Sequence, residues 1–171
     1  MSIIFTSAMR VMKITLRKFQ ETDFDSYYQL VGDLRVMKMV TERAFDLNEA
    51  KEDFAKLLQN DQIDERFGHF MMINSNTNEF IGLGKLSIED RKTERAEIGY
   101  LLLPKFWGKG IGHKVARILV EMAVSTKLKH LYAIIDPKNV ASRKILEKQG
   151  FVFHEYKSFD GLPGEILVKE L

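Results

Sequence analysis

The chain has 171 residues, 45% of them hydrophobic, with twelve Phe, five Tyr and one Trp, which suits one domain with a real core. Its formal net charge of +2 speaks against nucleic-acid binding, which draws on a dominant basic face. The absence of cysteine excludes disulfides, thiolate nucleophiles and cysteine-ligated zinc, and fits a reducing, cytoplasmic setting.

At the N-terminus, Ile3-Ile4-Phe5 followed by Arg10 is too short an apolar run for a signal peptide. No run anywhere approaches the roughly 18 apolar residues of a membrane helix, so no membrane partner is expected. Residues 1–11 read as a tail or an added edge strand, and residues 12–171 as the domain. Met12 to Arg17 alternates and reads as a strand. Thr22-Asp23-Phe24-Asp25 reads as a helix start, and Phe24, Tyr27, Tyr28 and Val31 at helical spacing carry that helix to about Leu34. Asp46-Leu47-Asn48-Glu49 has the form of a capping box, with Ala50, Phe54, Leu57 and Leu58 as the apolar stripe behind it. The aromatic side chains of these helices read as core, with Tyr27 or Tyr28 able to line a pocket as well.

Phe67 to Ile73 and Phe80 to Ile88 read as a hairpin around Asn74-Ser75-Asn76-Thr77-Asn78. Arg95 to Leu103 is the next strand. A helix runs from Gly110 to about Thr126, with Ile111, Val115, Ile118 and Met122 on one face. Leu131 to Ile135 is a short apolar strand, expected buried and parallel to its neighbour. Asn139 caps a helix that reaches Gln149 and stops at Gly150. Phe151 to Lys157 and Glu165 to Glu170 form a last pair of strands around Asp160-Gly161. The predicted fold is α/β: a mixed, mostly antiparallel sheet with helices on both faces.

The segment Leu102-Leu103-Pro104-Lys105-Phe106-Trp107-Gly108-Lys109-Gly110-Ile111-Gly112-His113 carries the most information. Glycines let backbone N–H groups approach a ligand, and the helix N-terminus behind them presents unpaired donors and the positive dipole end. Such a turn suits a phosphate or pyrophosphate. The charges agree: after Glu97 the next acid is Glu121, and Lys105, Lys109, Lys114 and Arg117 lie between. A dinucleotide fingerprint lacks its third glycine here, because His113 or Val115 stands in its place. A Walker A loop would need Lys-Ser/Thr after its last glycine, and His113-Lys114 follows instead. A tight strand-to-helix turn with a solvated basic face is the plain alternative.

Trp107-Gly108-Lys109-Gly110-Ile111-Gly112 resembles the pyrophosphate-binding motif of the GNAT N-acetyltransferases, with Trp where Gln or Arg is usual, as in the RimJ/RimL-like branch. Asn139-Val140-Ala141-Ser142, followed by Leu146-Glu147-Lys148-Gln149-Gly150-Phe151, resembles the family's second motif, and the order of elements is the family's order. The resemblance implies acetyl-CoA as co-substrate, with no metal. Its pyrophosphate would meet backbone N–H groups from Gly108, Lys109, Gly110, Ile111, Gly112 and His113. Its pantetheine would meet the backbone of Tyr100, Leu101, Leu102 and Leu103, with Asn139 reaching from the far wall or serving as a plain helix cap. Lys105, Lys109, Lys114 or Arg143 would meet the 3′-phosphate.

The activity implied is acetyl transfer to a primary amine by direct attack in a ternary complex. Glu97, in a segment resembling the family's glutamate-bearing strand, is the candidate base; its alternative is an edge carboxylate paired with Arg95 or a lysine. Glu89 and Asp136 stand in reserve. The family's usual proton-donating tyrosine position holds Leu146, and Ser142 is the candidate partner for the leaving sulfur, or a secondary cap. The four histidines lack metal spacing and read as surface or packing residues. The acceptor would be a small-molecule amine or a protein N-terminus, and a homodimer is a possible assembly. A non-catalytic acyl-CoA-sensing module is the alternative function.

Overall fold

Strands form where β-branched and aromatic residues recur, and helices where apolar residues return every third or fourth position. The computed structural model describes residues 11–171, and these build one seven-stranded sheet. In chain order the strands are β1 (Ile14–Lys18), β2 (Gly68–Asn74), β3 (Glu79–Ser87), β4 (Arg95–Leu102), β5 (His130–Ile135), β6 (Val152–Phe159) and β7 (Leu162–Glu170). Their order across the sheet is β1-β2-β3-β4-β5-β7-β6, and β4 with β5 is the one parallel pair among them. The helices are α1 (Phe24–Val31), α2 (Leu34–Met37), α3 (Leu47–Asn60), α4 (Ile111–Val124) and α5 (Val140–Lys148). The predicted fold class holds. The tail or edge strand expected for residues 1–11 lies, apart from exposed Val11, outside the described residues.

Three local departures from expectation have physical causes. The single first helix is two: α1 stops at Val31, Gly32 follows, and the Asp33 carboxylate accepts from Arg35 N at 2.8 Å to start α2. The buried stripe of α4 centres on Ile111, Val115, Leu119 and Ala123, and Ile118 and Met122 sit at its half-buried edge. The last hairpin is longer than expected, because Asp160 and Gly161 both take positive φ and make a two-residue turn that lets pairing continue from Phe159 to Leu162. The capping box at α3 is present as read: Asp46 accepts from Glu49 N, and Glu49 accepts from Asp46 N.

Helices α1 and α3 pack on β3 and β2, and α4 packs on β4 and β3. Side chains alternate across a strand. Gly84 therefore faces Leu119 of α4, while Leu83 and Lys85 point to the α1/α3 side. Fully buried Met72, Ile81, Leu86, Ile98, Leu119, Leu131 and Leu167 hold the layers together. No described helix is long and apolar enough to cross a membrane.

Candidate active site

The site begins where β4 and β5 part. They pair only at Arg95↔His130, Ala96↔Leu131 and Glu97↔Tyr132. Beyond Glu97, β4 continues against β3 as far as Gly82↔Leu102, while β5 continues against β7 as far as Ile135↔Glu165. The two strands diverge because each is held by its other neighbour. The wedge between them opens into a cavity of about 1430 Å³ that runs from the glycine loop to the surfaces of α1 and α3.

At one end of the cavity lies the loop. Pro104–Phe106 forms a 3-10 turn, and Gly108 and Gly110 then take φ of +68° and +75°, a region L side chains rarely adopt. A Cβ at either position would meet nothing within 4 Å, so these glycines satisfy the backbone and leave the space in front of it open. Gly110 is the N-cap of α4 and supplies no side-chain cap. The first N–H groups of a helix lack intrahelical partners, so those of Ile111, Gly112 and His113 stand at the cavity wall beside the positive dipole end. Gly112 also packs closely on α5: a Cβ there would lie 2.8 Å from Ile145 Cδ1, the far end of that side chain, which would have to shift.

The cationic surround is narrower than the sequence implied. Arg143 does not face the loop as a free cation: its guanidinium forks onto the buried Glu165 and donates to Pro137 O at 2.8 Å, which ties α5 to β7. Lys105 pairs with Glu79. Lys109 and Lys114 make no ion pair with any described residue. The backbone of the strand end is also partly engaged: Leu103 N donates to Ile81 O, and Leu102 O accepts from Trp107 Nε1, both at 3.0 Å. The third leucine assigned to the pantetheine wall, Leu101, is paired with Leu83 in the β3–β4 ladder, so all three have backbone already engaged inside the protein. The Trp107 indole fixes the turn instead of reaching toward a ligand.

On the far wall, Asn139 Oδ1 accepts from Ser142 N at 3.1 Å, so Asn139 is the N-cap of α5. Ser142 Oγ takes no part in that cap. It lies 3.3 Å from the Tyr100 hydroxyl, across the wedge from β4. Burial pushes the Tyr100 phenol up from its ordinary value, with the Ser142 hydrogen bond acting the other way, so it holds its proton at neutral pH. Leu146 is buried beside them and lines the same cavity. The sequence reading used Tyr100 only for its backbone. Strand alternation could have shown that its ring faces α4 and α5 while Glu97 points to the opposite face.

Glu97 lines the cavity on the α1/α3 side, and Oε2 accepts from Lys85 Nζ at 2.6 Å. Of the two reserve carboxylates, Glu89 pairs with Arg95 at 3.5 Å, and Asp136 lines the cavity while its Oδ1 accepts from Lys138 N. Lys85 opposes Gly99 in the β3–β4 register and His69 in the β2–β3 register, so the three form a row on one face. His69 is not a plain surface histidine: it lines the cavity, its Nδ1 lies 2.9 Å from Asp61 Oδ1, and its backbone N donates to Asp61 Oδ2. On α1, Tyr27 lines the cavity and donates its hydroxyl to Asp53 of α3. Burial pushes the Tyr27 phenol far above its ordinary value, and Asp53 adds to the effect.

The comparisons with known proteins agree with this geometry. A family model described as an acetyltransferase (GNAT) domain matches residues 13–152. An uncharacterized N-acetyltransferase of Bacillus licheniformis, p20, is 30% identical over 141 residues, covering 81% of this chain and 79% of that protein. The structure of spermidine N-acetyltransferase from Vibrio cholerae, in complex with CoA and spermine, is 19% identical with a TM-score of 0.76 and covers 92% of this chain and 95% of its own. Ribosomal-protein-S5-alanine acetyltransferase from Vibrio fischeri is 19% identical with a TM-score of 0.74, covering 92% of each chain. The chain belongs to the RimJ/RimL-like branch of the GNAT family and is an N-acetyltransferase that uses acetyl-CoA.

Proposed function

We propose that acetyl-CoA lies in the wedge between β4 and β5 and that its acetyl group passes directly to a primary amine entering from the α1/α3 side. The parting of the two strands beside an uncapped helix N-terminus is the observation that carries this reading. The pyrophosphate meets the N–H groups from Gly108 to His113. Those charge-assisted bonds exceed neutral ones in strength. The pantetheine arm runs along the edge of β4 that opens beyond Glu97, where β5 has parted from it.

An amine must be neutral to attack, and Glu97 accepts its proton. The nitrogen forms a bond to the acetyl carbon, the carbon–sulfur bond breaks, and the thiolate takes a proton. Ser142 and Tyr100 supply that proton from the opposite wall, with the phenol as reservoir and the serine hydroxyl as the contact to sulfur. No cysteine is present, so direct transfer in a ternary complex is the simplest path, with proximity supplying much of the rate. The test has two parts. Acetyl-CoA raises the melting temperature of the chain, as a ligand of the native state must. A panel of amines then yields amine-dependent release of CoA thiol. Thermal stabilisation with no amine-dependent release from any acceptor would instead favour a module that binds acyl-CoA without chemistry.

A further inference from the structure

We infer that the acceptor is a free α-amino acid with an apolar side chain, its amino group taken by Glu97 and its carboxylate by Lys85. The inference rests on the reading of Glu97 as the group that meets the amine. The starting observation is that Glu97 is already partnered. Lys85 Nζ lies 2.6 Å from its carboxylate, with only 27% and 23% of the two side chains exposed. An acceptor ammonium that reaches Glu97 meets Lys85 already on Oε2, so it either displaces that ammonium or crowds a second cation against it. A partly buried ammonium that loses its partner is costly to leave unpaired. An acceptor whose carboxylate sits one carbon from its amine removes that cost, because one ion pair is exchanged for two.

The space between the two charges is open for the acceptor. Gly99 stands opposite Lys85 and two residues from Glu97 on the same face. Its φ is not positive, and a Cβ there would meet only the Lys85 stem, at 3.9 Å and 4.0 Å. Neither backbone conformation nor packing requires glycine at this position. The absent side chain leaves a notch over the sheet in which an α-carbon fits between ammonium and carboxylate sites.

One step along the sheet the chemistry becomes apolar. Leu83 and Leu101 oppose each other on the same face, and Val31, Phe45 and Leu57 line the cavity above them. An aliphatic or aromatic side chain projecting from the notch would lie there. Polycations fit poorly. A second ammonium would meet Lys85, and Asp53, the carboxylate facing from α3, already accepts the Tyr27 hydroxyl. The N-terminus of a peptide lacks the carboxylate that would satisfy Lys85. The reaction conserves atoms: the ammonium gives one proton to Glu97 before attack, the nitrogen gains the acetyl group and sheds a second proton, which offsets the one that the Ser142–Tyr100 pair gives to sulfur, and sulfur leaves as the thiol of CoA.

The test uses the whole chain with saturating acetyl-CoA, thiol detection and mass analysis of the product. The acceptors are L-leucine, L-methionine, L-phenylalanine, isoamylamine (leucine without its carboxylate), spermidine, kanamycin and a tripeptide beginning with leucine. One of the three amino acids should give the highest kcat/KM, and leucine should exceed isoamylamine by about 10- to 100-fold, the range for losing a hydrogen bond to a charged group. Lys85→Met should erase that margin, bringing leucine and isoamylamine to the same kcat/KM, while acetyl-CoA still raises the melting temperature. Gly99→Val should block the amino acids while the thermal shift by acetyl-CoA persists. A highest kcat/KM for spermidine, kanamycin or the tripeptide overturns the inference, as does equal use of leucine and isoamylamine. Acetylation of other amines with the amino acids inert defeats the acceptor assignment alone. Failure of acetyl-CoA to stabilise the wild-type chain defeats the assignment of the wedge and this inference with it.

Discussion

The two ends of the cavity are built by different means. The cofactor end is local: β4, the turn and α4 are consecutive, and the features that matter are positive-φ glycines and free N–H groups at a helix start. The acceptor end is assembled across the chain, from His69 on β2, Lys85 on β3, Glu97 and Gly99 on β4, and the covering faces of α1 and α3. In the proposed reading, one end meets its ligand with main-chain atoms that few substitutions can alter. The other uses side chains whose identity can change without disturbing the fold. The division lets a shared scaffold keep one co-substrate while its acceptor varies.

The largest expected effect breaks the cofactor end. Gly110 sits at φ +75° at the mouth of the N–H cluster. Gly110→Asp adds a carboxylate where a pyrophosphate would lie, in front of donors it can itself occupy. Stabilisation by acetyl-CoA in a thermal melt should vanish. A mutant that still shows the wild-type shift would remove the phosphate from this loop.

Next comes the centre, where the two ends meet. Glu97→Gln keeps the size of the side chain and removes the base, and should lower turnover by about 10²–10⁴-fold near neutral pH. The loss should shrink as pH approaches the acceptor's own pKa, because solvent then supplies the neutral amine. Recovery should begin near pH 8 for a peptide α-amine and nearer pH 10 for a lysine-like amine. A loss that stays constant at every pH would make Glu97 a positioning group.

These contrasts explain what was readable from sequence. The glycine loop, the cap at Asn139 and the α4 dipole lie within short stretches, so spacing alone located them. The break after Val31 was missed because Phe24, Tyr27, Tyr28 and Val31 set an apolar rhythm that masked Gly32 and the cap at Asp33. A lysine partner for Glu97 was the alternative reading and is what the structure shows; that the lysine is Lys85 depends on the register of β3 on β4, and the role of His69 depends on where the end of α3 lands beside β2. The pairing of Arg143 with Glu165 reaches across β6 and its turn to β7, which is why Arg143 read as a free phosphate ligand. Tyr100 shows an intermediate case. Its parity on β4 was available, but its meeting with Ser142 depends on where α5 lies against the open edge of β4.

A smaller effect is expected at that meeting. Ser142→Ala and Tyr100→Phe each remove one hydroxyl of the pair, and each should lower kcat by about 5- to 10-fold, the scale of one lost hydrogen bond, while acetyl-CoA affinity holds. A bond to the leaving sulfur strengthens as charge develops on it, so turnover should fall more than binding. The double mutant should fall little further than either single one, because both act on one proton path. Additive losses, or losses matched by weaker acetyl-CoA binding, would return the pair to packing.

The smallest effect concerns the support beneath the acceptor end and appears as an acid dependence of stability. Arg17 of β1 forks onto Asp23 at 2.6 Å and 2.8 Å, and Asp23 also accepts from Gln20 N at 2.8 Å, which fixes the entry to α1. The Arg17 hydrogen bonds hold the Asp23 carboxyl below its ordinary value, against the opposing effect of burial. A carboxyl whose folded pKa is depressed binds its proton more readily in the unfolded chain. Its contribution is therefore fully present above the unfolded value, near pH 4, and is lost as pH falls from there through the lower folded value. Arg17→Met should remove most of this acid-sensitive share. Denaturant melts of the mutant should lose less stability between about pH 5 and pH 2 than those of the wild type, with the two chains differing by a constant amount above pH 5. The cleft itself should bind acetyl-CoA unchanged at neutral pH, because the Arg17–Asp23 pair lies at the start of α1, remote in sequence and sheet position from the β4–α4 turn. Parallel acid profiles for mutant and wild type would mean that Asp23 keeps its depressed pKa without Arg17, held by the Gln20 bond alone.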